Sequence, residues 1–391
     1  MATGVKNIVA LSALVIATAV SQSFGRFTYS VLYIEIRDDF GLSNTAAGGI
    51  GSLNLVGYLI GSLLVAFTIG NFGLIKTAKY GLAGVVIGLL LLSWSPNSFI
   101  ALLALFLTGL SAAGVWITTP ALATNLLGPD RKGLAIGWVT TGVGLGFFAA
   151  CVFDAVITDW RSVYGLETII GFAALGLLVL TITTSANPAS GSGLSPTALK
   201  QIPGWLNLCV TYGFFAVGVS LAMTFSAALL EEDAGFKEGS ASLTFALIGL
   251  GLALGGPIMG WLSDRIGMNS AQLVSLTCLT VSCALIATGH PVAAPISTLL
   301  FGMAFTGVVV NITAKVSSHL SAEAFGAAYA VLTIVFGAGL AVGPQLGGII
   351  ADSSGSFQPA LVLASCFAAG SLFLTFLDRK TPANDGLGGE S

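Results

Sequence analysis

Residues 8–32 read IVALSALVIATAVSQSFGRFTYSVL, a run of 25 residues in which Arg26 is the one ionisable side chain. About 20 apolar residues suffice for a helix to cross the roughly 30 Å hydrocarbon layer of a bilayer, so this run predicts a membrane span. At a rise of about 1.5 Å per residue, Arg26 lies well inside it, nearer the far end. A charge at that depth costs roughly 2.5 to 3.5 kcal/mol on insertion scales, which makes Arg26 a candidate functional residue. Snorkelling of the long side chain to the interface is the other reading. Gln22, four residues earlier, and Tyr29 and Tyr33 beyond fall on the same helix face and point to a polar cavity. Lys6 precedes the run, which is too long for the apolar part of a cleavable signal and is read as a retained first span.

Working outward, the same character fills the chain. Of its 391 residues, 55% are hydrophobic and 8% charged, and the mean hydropathy is +0.94. Too little polar surface exists to cover a water-soluble domain of this size. The expected class is an all-α polytopic membrane protein. Helix-length runs, rather than short alternating strands, place it in the cell inner (cytoplasmic) membrane and exclude an outer-membrane barrel. A net charge of -3 leaves no nucleic-acid footprint. Cys151, Cys209, Cys278, Cys283 and Cys366 all fall in apolar runs without ligand spacing and are read as small buried residues. His290 and His319 stand alone near predicted helix ends, so neither a metal nor a cofactor is expected.

Cutting at charges, prolines and polar clusters gives twelve segments, approximately 8–33, 44–69, 77–95, 98–127, 133–157, 162–184, 205–229, 239–262, 270–289, 293–318, 323–350 and 356–377. With the N-terminus inside, ten basic residues (Lys6, Lys76, Lys79, Arg131, Lys132, Lys200, Arg265, Lys315, Arg379, Lys380) face the cytoplasm and three (Arg37, Arg161, Lys237) face outward, which puts both termini in the cytoplasm. Residues 187–203, NPASGSGLSPTALKQIP, have the composition of a cytoplasmic linker. The expected organisation is a six-helix bundle over 1–186, that linker, and a second six-helix bundle with a short cytoplasmic tail over 204–391. Shifting the second half back by 193 or 194 residues lays Gly267 on Gly73, Gly302 on Gly109, Gly307 on Gly114, Gly326 on Gly133 and Asp352 on Asp159. The constant offset predicts an internal repeat and two pseudo-symmetric bundles.

Between spans eight and nine stands GWLSDRIG, residues 260–267. It resembles the loop signature G-x-L-x-D-R-x-G of the major facilitator superfamily, and the six-plus-six layout is similar to that family over nearly the whole chain. GRFTYS and the later GLSNTAAGGIGSLNLVGYLIG resemble its YbfB/YjiJ-type branch. Glycines there allow tight helix approach, while Asp and Arg can pair with a neighbouring helix end, so Gly260, Asp264, Arg265 and Gly267 are read as a gating latch, with a simple helix cap as the other reading. The first-half counterpart, GNFGLIK, carries Gly70 and Asn71 where Asp and Arg would stand. Glycines 142, 144 and 146 in span five and 337, 339, 343, 347 and 348 in span eleven predict close helix approach.

In that superfamily, spans one, four, seven and ten line a central cavity and spans three, six, nine and twelve stand outside. The resemblance thus implies a substrate site of Arg26, Tyr29, Tyr33, Trp116, Thr118, Thr119, Tyr212, Asn311 and Lys315. Thr118 and Asn311 coincide in the repeat and are expected to face each other across the pseudo-twofold axis. Interhelical bonding or packing competes for each residue, and Lys315 is equally readable as an interfacial lysine. Glu167, in an outer span, is expected at the interface, and Glu35 and Asp154 near outer helix ends. No paired carboxylates, H-E-x-x-H metal site or Ser/His or Ser/Lys nucleophile pair occurs within the spans, so no enzyme is expected. The reading that follows is a monomeric secondary transporter in membrane lipid. It moves a small-molecule substrate, an organic anion, by alternating access, with proton symport as the favoured coupling. Proton-coupled efflux of drugs or metabolites is the alternative.

Overall fold

The computed structural model describes residues 2–128, 131–183, 196–320 and 322–380, almost wholly helical. Eleven helices among them are long and apolar enough to cross a membrane. One, Asn44–Ser93, has 50 residues, about 75 Å of helix and more than twice a bilayer's hydrocarbon thickness. It is two helices, because Gly73 interrupts it at φ 75° and ψ 165°, a backbone region that only glycine enters without strain. Counting its two parts gives twelve crossings. They are α1 (Lys6–Val31), α2 (44–72), α3 (74–93), α4 (Ser98–Leu127), α5 (Lys132–Val156), α6 (Trp160–Thr181), α7 (Trp205–Asp233), α8 (Glu238–Ile266), α9 (Met268–Ile286), α10 (Ala293–His319), α11 (Ala322–Ser354) and α12 (Gln358–Lys380).

The expected breaks at 70–76 and 263–269 shrink to one residue each. Gly267 separates α8 from α9 at φ 83° and ψ 151°, the counterpart of Gly73 in the other half. Asp264 and Arg265 consequently lie in the last turn of α8 and not in a loop. Of the expected linker, residues 187–195 lie outside the described residues, and Pro196–Leu199 forms a short helix.

The repeat is visible in the packing. A side chain on Gly57, Gly61 or Gly109 would run into the backbone of Phe106, Leu110 or Asn54, and one on Gly251, Gly255 or Gly302 into that of Leu299, Met303 or Ile248. Every second-half residue here is its first-half counterpart displaced by 193 or 194, so α2 meets α4 as α8 meets α10. The two six-helix halves join along α2 and α11 and along α5 and α8. At the latter seam a Cβ on Gly144 would lie 2.5 Å from the Gly249 carbonyl, and one on Gly249 would lie 2.6 Å from the Gly144 carbonyl.

Polar contacts between the halves gather at one end, beside the short helix Tyr33–Asp39. There Arg37 pairs with Glu232 and Ser242 donates to Asp154. Asp352 accepts from the backbone N–H groups of Asn44 at 2.9 Å and Thr45 at 2.8 Å, and Ser52 accepts from Gln345 N–H at 3.0 Å. A side chain on Gly137 or Gly260, toward the other end, would meet nothing within 4 Å. Large apolar residues such as Phe67, Phe99 and Leu180 are exposed on the perimeter, the surface that lipid covers. Cys151 and Cys283 are buried as expected, whereas Cys209 and Cys278 are half-buried and Cys366 is exposed.

Candidate functional site

Arg26 sits on a wide turn. Within α1, residues Ala19–Phe27 form a π-helix between two α-helical pieces, a rare geometry frequent at functional sites. Neighbouring helices hold its backbone and side chains. Asn54 on α2 donates to the Gly25 carbonyl at 3.0 Å and to the Leu105 carbonyl of α4 at 2.7 Å. Ser23 donates to the Val143 carbonyl of α5 at 2.7 Å, and Gln22 to the Ala112 carbonyl of α4 at 3.0 Å. The same Gln22 accepts from Arg26 Nη1 at 2.8 Å, so the arginine's inner edge is fixed.

Arg26 is 9% exposed, and its guanidinium lies over Tyr58, with Cζ 3.9 Å from the ring centroid. Its Nε has no hydrogen-bond partner, and no carboxylate pairs with it among the described residues. It faces a central cavity of about 180 Å³ between the halves. Arg26 is the only charged side chain among the described residues lining that cavity. The rest of the wall is uncharged, a mixture of aromatic, aliphatic and hydroxyl or amide side chains, with Trp116 of α4 in the arginine's own half and Tyr212 of α7 and Tyr329 and Phe336 of α11 in the opposite one. Tyr212 stacks on Phe336 with ring centroids 4.7 Å apart at 18°. A cation over an aromatic ring, a partly unpartnered guanidinium edge and a stacked aromatic pair together suit a small planar anion.

Of the residues expected at the site, Arg26, Tyr29, Trp116 and Tyr212 line the cavity. Tyr33 does not. It packs edge-on against Tyr29, Phe225 and Phe357 and donates to the Asn44 carbonyl at 3.1 Å, sealing the end where the halves meet. Thr118 and Thr119 are turned into their own bundle, where Thr118 donates to the Gly114 carbonyl at 2.7 Å and Thr119 to that of Val115 at 2.9 Å. Asn311 likewise donates to the Gly307 carbonyl at 2.9 Å. Thr118 and Asn311 are thus equivalent in the repeat, each bonded one turn back along its own helix, and they do not face each other. Lys315 pairs with Asp378, and with Asn311 it borders a separate void of about 20 Å³ inside the second half.

Glu167 is fully buried and not interfacial, because α6 turns it toward α1, where Thr28 donates to its Oε1 at 2.6 Å. Asp264 and Arg265 are exposed and make no ion pair among the described residues; Arg265 lies over Trp261, 4.2 Å from the ring centroid. Among the wall residues that sequence reasoning missed are Asn54, Tyr58, Tyr329 and Phe336. The first two lie in the glycine-rich stretch already singled out, yet spans two and eleven were not expected at the cavity.

A family model described as "Uncharacterised MFS-type transporter YbfB" matches residues 18–376. The gentisate transporter of Corynebacterium glutamicum is 23% identical over 84% of this chain and 78% of its own length. Among solved structures, a bacterial homologue of the human lysosomal transporter Spinster superposes with a TM-score of 0.76 at 15% identity, over 95% of this chain and 97% of that one. The nucleoside transporter NupG does so with a TM-score of 0.78 at 12% identity, over 96% and 99%.

Proposed function

The chain belongs to the YbfB family of MFS-type transporters, which move small organic solutes, and within that frame we propose that its substrate is a planar organic monoanion whose carboxylate is held by Arg26. The observation that carries this reading is the buried guanidinium with an unpartnered Nε in a cavity wall that holds no other charge among its described residues. A buried cation needs an anion to offset its desolvation. One fixed charge matches one carboxylate, and the stacked Tyr212 and Phe336 opposite suit an aromatic or otherwise planar body. The relative that transports gentisate, an aromatic monocarboxylate, supports the same class.

In this reading the two bundles, 1–186 and 204–391, rock about the cavity as a monomer in the inner membrane. Both termini and the 187–203 linker face the cytoplasm. The Arg37 end is then the outer side, and the state described is closed outside and open inside. Import with protons is the proposed direction. Efflux of cationic drugs is disfavoured by an arginine where such cargo would want a carboxylate.

Counterflow of gentisate, benzoate and lactate in proteoliposomes, with a lipophilic phosphonium cation as control, tests the assignment. The anions exchange and the cation does not. Arg26→Lys keeps the charge and loses the fork and the stacking on Tyr58, so its affinity falls by about 10- to 100-fold, roughly 1.5 to 3 kcal/mol. Arg26→Ala inserts normally and binds no anion. Normal exchange of the wild-type substrate by Arg26→Ala would falsify the assignment.

A further inference from the structure

Glu167 has no role in the site as described, and its surroundings demand one. Seven residues into α6, it is about 10 Å from the helix start, with a fully buried side chain. Its Oε1 accepts from the Thr28 hydroxyl, and its Oε2 is buried without a partner. No cation pairs with it among the described residues. An ionisable group inside a membrane span marks a proton relay or substrate path unless a structural partner accounts for it, and among the described residues the only bonded partner here is one hydroxyl.

That hydroxyl belongs to the element carrying the anion site. Thr28 stands two residues beyond Arg26, and its backbone N–H closes the wide turn on the Ser23 carbonyl. Its hydroxyl also lies 3.4 Å from that carbonyl. Arg26 and Glu167 therefore hold opposite sides of one π-turn, a unit that differs from an ordinary α-turn by a single hydrogen-bond register. Other titratable groups near Glu167 are Tyr164 on its own helix and Cys151 on α5; Asp154 stands beyond Cys151, and Tyr29 and Glu35 beyond Tyr164.

We propose that Glu167 is the proton-carrying group that couples proton entry to movement of the anion held by Arg26. Its carboxyl takes a proton from the outer water, crosses neutral while the carboxylate solute occupies Arg26, and gives the proton to the inner water. One monoanion and one proton then move together with no net charge. The register of the turn bearing Arg26 and Thr28 is the part both ligands bias. The inference rests on the anion-transport reading above, and its tests separate the two.

In proteoliposomes of the full chain, with gentisate as probe, an inward proton gradient drives accumulation by the wild type. Glu167→Gln lowers that accumulation at least about tenfold while gradient-free counterflow changes by less than about threefold. Thr28→Val, which removes the hydroxyl and keeps the side chain's size, shifts the pH midpoint of driven uptake and leaves counterflow in place. Infrared difference spectra of the purified protein show a protonated carboxylic-acid band that titrates in the wild type and is missing from Glu167→Gln. Gradient-driven accumulation by Glu167→Gln at the wild-type level overturns the proposal, as does the lack of that titrating band in the wild type. If the wild type does not exchange gentisate, the anion reading fails, and the infrared band still decides for Glu167.

Discussion

Arg26 works through its neighbours. Gln22 fixes one edge of the guanidinium, and the Tyr58 ring supports its face. A desolvated cation on a ring contributes about 2 kcal/mol. Tyr58→Leu therefore weakens anion binding by up to about 30-fold, whereas Tyr58→Phe keeps the ring and stays near wild type. Thermal-shift titration with gentisate, the probe of the proposed anion site, checks this, and equal affinities for the Leu and Phe variants would remove the shelf from the account. Arg26 was legible in the sequence because one charge in an apolar run has a large, unavoidable cost. Tyr58 was not, since an aromatic residue in an apolar helix looks alike whether it packs, faces lipid or supports a cation. Asn311 and Thr118 were misread for a related reason, because a polar side chain within a span can bond one turn back along its own helix and never reach the cavity.

Among the elements, the twelve spans were readable from hydropathy, but their joints were not. Polar Asn71 and charged Asp264 and Arg265 looked like loop residues, yet the helices absorb them and the chain turns on one glycine in each half. Gly73→Ala forces a Cβ into φ 75°, costing roughly 1 to 2 kcal/mol with nothing within 4 Å for the new methyl to strike. A lowered melting temperature with unchanged anion affinity is the expected result. A stability equal to wild type would mean the α2–α3 joint tolerates another backbone geometry. The π-turn in α1 was equally invisible, since its sequence carries apolar residues at spacings that an α-helix also satisfies.

The whole molecule is held at the Arg37 end by groups from opposite halves, and Asp352 caps the start of α2 from across the seam. A carboxylate bonded to two helix N-terminal N–H groups is stabilised by the helix dipole as well as by the bonds. Asp352→Asn weakens that seal and shifts the population toward the state open at this end. With Ser220→Cys as a reporter in the cavity wall, a membrane-impermeant thiol reagent applied from outside labels the Asn variant several-fold faster. Labelling that is equal in both backgrounds would remove Asp352 from the seal. Asp264 and Arg265 lie exposed at the other end, without an ion pair among the described residues.

The glycine-to-backbone approaches repeated in the two halves also bear on how the chain assembles. Gly109 reaches Asn54 across 55 positions (109 − 54), and Gly302 reaches Ile248 across 54 (302 − 248). Closing loops of that size costs little more entropy than closing shorter ones, and contacts of modest sequence separation form early. Each half carries the means to order its own helices as soon as they enter the bilayer. The long-range step left for the end of folding is the docking of two preformed bundles along α2–α11 and α5–α8, the same seams about which the proposed rocking of the halves would run.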